Sequence, residues 1–418
     1  MIRSNFLKSS IVVLLLANAA NFFNYLIQIV IGRYLSPEEY GIHNSVLSLG
    51  VILNSGTMML MSLGAKYAGP MRYDQLAAKS LMLRWSKIIV ICTGLGMLVL
   101  LLLNDVITKF LQLESDSVVF AFIFGTVFVH LLSFYEGFLN GLGQHAMSNF
   151  MGLGLSILRI LSTWGLLISG MGYALYTVGA LSISLALSSL AAGWILYLII
   201  LKLPHKETDN SISFNQKQEF NFLLPSFLTW TGIAILSNID IVIIKHHFDA
   251  TSAGHFTQAA IIARIGFFAT GALTMVLLPE ISNTKTQQPK HLVRTALLIS
   301  GGISGMFSLL CWIAPDFLIH IFFSSQASDG SYLPVLSVNY ALVAILSLLF
   351  TINLERGNYL SQIVYFIVII FFSIVLFVIN IKNIEAFIYM MMLFLVTLLL
   401  VDLIKSFLQF WFNLNFQK

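Results

Sequence analysis

Ionisable side chains inside the long apolar runs of this 418-residue chain include Lys66, Arg159, Asp240 and Arg264. An ionised group in hydrocarbon costs roughly 2.5–3.5 kcal/mol on insertion scales, so each needs a partner, a water-filled cavity or a ligand. Arg159 stands near the middle of Leu155-Ser-Ile-Leu-Arg-Ile-Leu-Ser-Thr-Trp164, too deep to snorkel. Its planar guanidinium matches an oxyanion bidentately, which an ammonium does not. A salt bridge or a cage of carbonyls would also hold it, but no deep acidic partner stands out in the first half of the chain, which favours a ligand. For Arg264 the two readings stand level, because Asp240 occupies the preceding apolar run at a depth an Arg side chain can bridge. Asp240 is then either that partner or a site for Na+ or a proton. Lys66 lies near the end of its run, where snorkelling suffices and where an anionic headgroup can also be met. Glu136 and Asp402 lie toward the ends of theirs and read as solvated.

Polar residues recur at helical spacing around these charges. Asn18, Asn21, Asn24, Tyr25 and Gln28 share about 120° of arc, and Ser226, Thr229, Ser237 and Asp240 about 80°, at about 100° per residue. A helix facing lipid on all sides carries no such stripe, so each lines a wet cavity or bonds a neighbouring helix. Other chemistries find no support. There is no G-x-x-x-x-G-K-[ST] loop to hold a nucleotide. His246, His247 and His255 lack an acidic or Cys complement, so neither a metal site nor a cofactor is expected. Cys92 and Cys311 fall within apolar runs and read as small buried hydrophobes, not a disulfide. No basic run is dense enough for nucleic acid.

These side chains are positioned by membrane-spanning helices. With 58% hydrophobic and 10% charged residues, the chain falls far below the roughly 25% charge of soluble domains. Runs of bilayer length occur at 11–31, 42–69, 87–104, 118–140, 150–169, 172–201, 221–244, 253–280, 295–314, 333–353, 362–381 and 386–410, twelve in all. Arg3 and Lys8 ahead of Ile11, with Ala17-Asn-Ala19 following, mimic a signal peptide, but apolar character continues to Ile31 and makes an uncleaved first span. With the N-terminus inside, inner segments hold fifteen Lys and Arg and outer loops four; the three within spans complete the 22. That bias places both termini in the cytoplasm. Pro225 and Pro279 fall near predicted helix ends, where kinks cost least.

The second half echoes the first. Lys245-His-His-Phe-Asp-Ala-Thr-Ser-Ala-Gly254 overlays Gly32-Arg-Tyr-Leu-Ser-Pro-Glu-Glu-Tyr-Gly41 without a gap at an offset of 213 residues. Capping residues Ser36 and Asp249 and helix-entry glycines Gly41 and Gly254 fall in register, and Arg72 overlays Lys285 nearby. An echo at half the chain length predicts a parallel repeat. The fold expected is all-α and polytopic, about 12 transmembrane helices in two pseudo-symmetric six-helix bundles around a central cavity. The bundles are 1–202 and 221–418, with 203–220 as a cytoplasmic linker.

Ile239-Asp240, the Gly254 turn, the Leu278-Pro-Glu-Ile281 exit and the Gly32–Gly41 segment resemble the polysaccharide (O-antigen) flippases of the multidrug/oligosaccharidyl-lipid/polysaccharide exporter superfamily. The resemblance spans the chain in length and helix count. It implies a transporter, not an enzyme, moving undecaprenyl-diphosphate-linked oligosaccharide from the cytoplasmic to the periplasmic leaflet of the bacterial inner membrane by alternating access. On that reading Arg159 and Arg264 meet the diphosphate, Lys66 an anionic headgroup, and Asn18, Asn21, Asn24 and Gln28 the sugars, while Asp240 couples Na+ or H+. Expected partners are the lipid-linked glycan, membrane lipids and other polysaccharide-assembly membrane proteins. The rival of the same fold is a multidrug exporter moving organic cations; a membrane glycan polymerase fits less well, since no long catalytic outer loop is present.

Overall fold

The computed structural model describes residues 2–204, 216–283, 289–324, 327–355, 357, 359–379 and 381–416. Its first half runs α1 (Ile2–Tyr34), α2 (Pro37–Leu53), α3 (Gly56–Ala68), a 3-10 turn (Gly69–Tyr73), α4 (Gln75–Leu102), α5 (Asn104–Phe110), α6 (Ser117–Gly141), α7 (His145–Ile168) and α8 (Ala174–Leu201). Its second half runs α9 (Gln216–His247), α10 (Ala250–Asn283), α11 (Pro289–Ile313), α12 (Pro315–Phe323), α13 (Leu333–Glu355), α14 (Tyr359–Val378) and α15 (Ile384–Phe416). No strand occurs among the described residues. The chain is an all-α, polytopic membrane protein. Among the described residues nine helices are long and apolar enough to cross a bilayer, ten when the bent pair α2 and α3 counts as one span. The predicted spans 11–31 and 253–280 fall within α1 and α10, helices of 33 and 34 residues.

The 213-residue echo is a repeat of helix boundaries. Tyr34 and His247 end α1 and α9, and Pro37 and Ala250 begin α2 and α10, each pair separated by that offset. The caps repeat too: Ser36 Oγ accepts from Glu39 N at 3.3 Å, and Asp249 Oδ1 from Ser252 N at 3.1 Å. Each satisfies an amide that the first turn leaves without an intrahelical acceptor. Short helices α5 and α12 follow α4 and α11 at matching places in the order. Lys285, the counterpart of Arg72, lies outside the described residues, as do 205–215 of the linker and the side chains of Leu278–Ile281.

The chain divides into two compact units, Met1–Ala234 and Ile235–Lys418. In the first, α3 and α6 approach through glycine. A Cβ on Gly64 would stand 2.7 Å from Phe134 O and from Phe138 N, and one on Gly141 2.6 Å from Ala65 O. Small residues allow this because lipid supplies no hydrophobic drive between helices, so van der Waals contact of close backbones holds the pair. Around that seam Leu60, Leu63, Phe134, Phe138 and Leu139 form the packed interior, which Trp85 and Leu196 extend onto α4 and α8. By contrast Leu95, Leu98, Val99 and Leu102 of α4 are all exposed, an outer face suited to acyl chains.

Several expectations change. The span 42–69 is not continuous but bends by 46° near Asn54, whose N–H returns to Gly50 O at 2.8 Å. Lys245, counted with the outer loops, belongs to the last turn of α9 and is buried at 1% exposure, because α9 runs beyond the predicted span. Pro225 lies inside α9, which begins nine residues earlier. Cys311 is buried as expected, whereas Cys92 is exposed on α4. Asp402 is not solvated: it is 3% exposed and accepts from Tyr365 Oη, with Asn353 Nδ2 at 3.5 Å. Asn353 in the last turn of α13 and Tyr365 in the second turn of α14 meet that stretch of α15.

Candidate functional site

The second unit builds one buried polar network. Asp240 and Asn238 come from α9, Arg264 from α10 and Tyr340 from α13, which packs closely on α10. Arg264 donates from Nη2 to Asp240 Oδ1 at 3.0 Å, from Nη1 to Asn238 Oδ1 at 3.1 Å and from Nε to Tyr340 Oη at 2.7 Å. Tyr340 Oη in turn donates to Asp240 Oδ2 at 2.5 Å, and its ring lies 5.3 Å from the guanidinium carbon. Arg264, Asp240 and Tyr340 are all 5% exposed or less. Opposite charges cancel within the ring of bonds, which lets the cluster exist at low dielectric. Beside Asp240 a small cavity reaches Leu236, Asn339, Phe387 and Ile388. Asn339 Nδ2 donates to Ile388 O at 3.0 Å, while its buried Oδ1 has no partner.

The first unit holds a deep guanidinium in the opposite condition. Arg159 lies in mid-α7, and its Nε and Nη2 are buried without a hydrogen-bond partner. These two nitrogens form the side-on edge of the guanidinium, the fork that takes both oxygens of an oxyanion. No carboxylate among the described residues pairs with it. In the same unit polar side chains join helices: His43 Nδ1 of α2 lies 2.7 Å from Thr177 Oγ1 of α8, and Ser162 Oγ of α7 3.3 Å from Ser184 Oγ of α8.

The other expected site residues are scattered. Gln28 Oε1 accepts from Tyr40 Oη at 3.2 Å and ties α1 to α2. Asn18, Asn21 and Asn24 stand exposed along α1. None of them meets Arg159 at hydrogen-bond distance. Lys66 is exposed in the last turn of α3 with its Nζ 5.8 Å from the Tyr67 ring centre, the placement a snorkelling side chain needs.

Sequence reasoning misses Tyr340, Asn238, His43, Thr163 and Thr177. Tyr340 is 76 residues from Arg264, and no spacing rule links an aromatic in one apolar run to a charge in another. His43 did carry a signal, being ionisable and inside the predicted span 42–69, but weighing histidines only for metal spacing passes over it.

No known protein family matches the chain by sequence, and no curated protein does. Solved structures do match. The lipid II flippase MurJ in an inward closed conformation aligns over 94% of this chain and 89% of its own, with TM-score 0.66 and 15% identity. A multidrug resistance MATE family transporter of the MOP superfamily, outward-facing, aligns over 96% of this chain and 94% of its own, with TM-score 0.64 and 16% identity. A MOP superfamily transporter from Pyrococcus furiosus, described by the reverse polarity of its binding pocket, aligns over 90% and 95%, with TM-score 0.52 and 15% identity. What these likenesses share is architecture, and by architecture this chain carries the fold of the MOP superfamily transporters.

Proposed function

We propose that the protein is a flippase that carries an undecaprenyl-diphosphate-linked oligosaccharide, an O-antigen or similar repeat unit, across the bacterial inner membrane. Bundles 1–202 and 221–418 alternate access to the two leaflets. A diphosphate attached to a large polar glycan cannot cross hydrocarbon unaided, and a cationic, hydrogen-bonding path replaces the lost water. The observation that carries the reading is Arg159: a mid-span guanidinium whose bidentate edge meets no protein acceptor. Leaving that edge unspent costs stability, so a ligand that repays it only during transport is its natural complement.

Arg264 and Asp240 enter as a neutralised pair. Contact of Arg264 with the diphosphate, or Na+ or proton coupling at Asp240, requires the ring of bonds to open, and the cavity bordered by Asp240 and the unpartnered Asn339 Oδ1 offers room beside it. Lys66 greets the headgroup at the inner surface, and Asn18, Asn21, Asn24 and Gln28 line the glycan path.

One observation favours the multidrug exporter as a second reading. Among the described residues Asp402 is buried with neutral donors, Tyr365 and Asn353, beside it, and such a carboxylate suits a cation. Cells lacking the protein separate the two readings. Lipid-linked repeat units accumulating in the inner leaflet, with surface glycan lost, support the flippase. Normal surface glycan in a strain with no paralogue, with sensitivity to cationic dyes raised, supports the exporter and removes the flippase.

A further inference from the structure

His130 stands near the middle of α6, a membrane-crossing helix of 25 residues. An ionisable group at that depth is costly to keep and points to a role beyond packing. Its Nδ1 lies 2.7 Å from Thr126 O, one turn back. A carbonyl oxygen only accepts, so Nδ1 carries the proton of the neutral ring and Nε2 is a bare acceptor. Among the described residues the ring makes no other hydrogen bond or ion pair. Titratable groups on the surrounding helices are His43 on α2, Lys66 on α3, Lys79, Arg84 and Lys87 on α4, Arg159 on α7, and Tyr135 and Glu136 on α6 itself. Neither α9 from Leu223 to Ile239 nor α8 from Thr177 to Leu196 brings any, and α3 brings none before Lys66.

What Nε2 faces is the start of α3. It lies 3.8 Å from the point where a Cβ on Gly56 would stand, and Phe227 Cε2 of α9 lies 3.9 Å from the same point. Gly56 opens α3 directly after the 46° break, and Ser55 before it makes no capping bond. Ser55 Oγ lies instead 2.8 Å from Thr231 Oγ1 of α9. Uncapped, the first turn of α3 presents the positive end of its dipole. A neutral imidazole with a lone pair on Nε2 fits against that end. An imidazolium, with a second N–H and a full charge, does not, and glycine offers it no acceptor. Farther along, α3 is fixed to α6 by backbone contact, since a Cβ on Gly64 would stand 2.7 Å from Phe134 O. At Gly56 the nearest atoms are side-chain tips at 3.8–4.0 Å, so the first turn is the part of α3 least tied to α6.

We infer that His130 is an intramembrane proton site, at which a proton taken from water on Nε2 drives the first turn of α3 away from α6. The Ser55–Thr231 bond carries the adjoining part of α9 with it. The site is separate from Asp240, whose charge Arg264 meets at 3.0 Å, and it does not depend on the cargo.

Distances between spin labels in nanodiscs test it. Met58 on α3 and Leu190 on α8 are both exposed and accept labels as Met58→Cys and Leu190→Cys in a background carrying Cys92→Ala and Cys311→Ala. As pH falls from about 8 to about 5, the range in which a histidine titrates, a second distance should grow from minor to major over about two pH units. His130→Gln should hold the high-pH distance throughout. Gly56→Asp should do the same with His130 intact, because its carboxylate meets the imidazolium where it forms, and it serves should His130→Gln not accumulate. Gly56→Ala, which adds the Cβ without the charge, should keep the response. A distance indifferent to pH in the parent, a response that survives in His130→Gln or Gly56→Asp, or its loss in Gly56→Ala would overturn the assignment.

Discussion

At Arg264 one guanidinium donates from Nε, Nη1 and Nη2 to three different side chains, and Asp240 returns the charge. Removing either ion leaves the other buried and unpaired, a loss of about 3–5 kcal/mol, whereas removing both removes the penalty with the pair. Arg264→Ala and Asp240→Ala should therefore each lower membrane protein level, and the double change should do no worse than either single one, checked by fluorescence-detected size exclusion. Additive losses would mean that the two act separately. Tyr340→Phe should cost about 1–3 kcal/mol, since it strips a donor from Asp240 and an acceptor from Arg264 Nε. The ion pair was legible because both charges sit in consecutive apolar runs, where each demands a partner. Tyr340 and Asn238 were not, because neutral polar groups in a span raise no such demand, and only packing selects which of many will close the ring.

Helices carry the repeat and set how close their neighbours come. The caps at Ser36 and Asp249 were legible as residue types at a fixed offset, and with them the boundaries of four helices. The 46° break near Asn54 was not, since hydropathy runs unbroken across it, while the helical ladder gives way there to bonds three residues back, from Ser55 N to Ile52 O and from Thr57 N to Asn54 O. Ser36→Ala and Asp249→Ala should each lower the unfolding temperature, at a cost of about 0.5–2 kcal/mol and by similar amounts, because the same bond is lost in each half. Unequal losses would show that the halves use the equivalent cap differently. At the α3–α6 seam the demand is steric. Gly64→Val should cost more than the usual 1–3 kcal/mol of overpacking, because its new atoms meet backbone at Phe134 and Phe138, which cannot rotate away. The measurement is yield of folded protein, with Gly94→Val as the control, since nothing lies within 4 Å of a Cβ there.

For the whole molecule, charge bias predicts an orientation that cysteine labelling tests. In a background carrying Cys92→Ala and Cys311→Ala, Asp116→Cys and Asp329→Cys should react from outside with a membrane-impermeant thiol reagent, and Gln75→Cys should not; the reverse at any of them would mean a miscounted span. The succession of long apolar helices was legible because a bilayer demands such runs, although nine to ten of the twelve expected spans pass as membrane-crossing helices among the described residues. Asp402 was misjudged because burial near a helix end depends on which neighbours cover it, a three-dimensional fact with no periodic trace. For the proposed cargo the sequence offers only a charge, through Arg159. The direct test of that central claim is translocation of lipid-diphosphate-linked oligosaccharide in proteoliposomes by wild type, Arg159→Ala and Arg159→Lys at matched protein levels. Arg159→Ala should lose transport and Arg159→Lys should recover part of it, since Lys restores the charge without the fork. Transport by Arg159→Ala at the wild-type rate would contradict it.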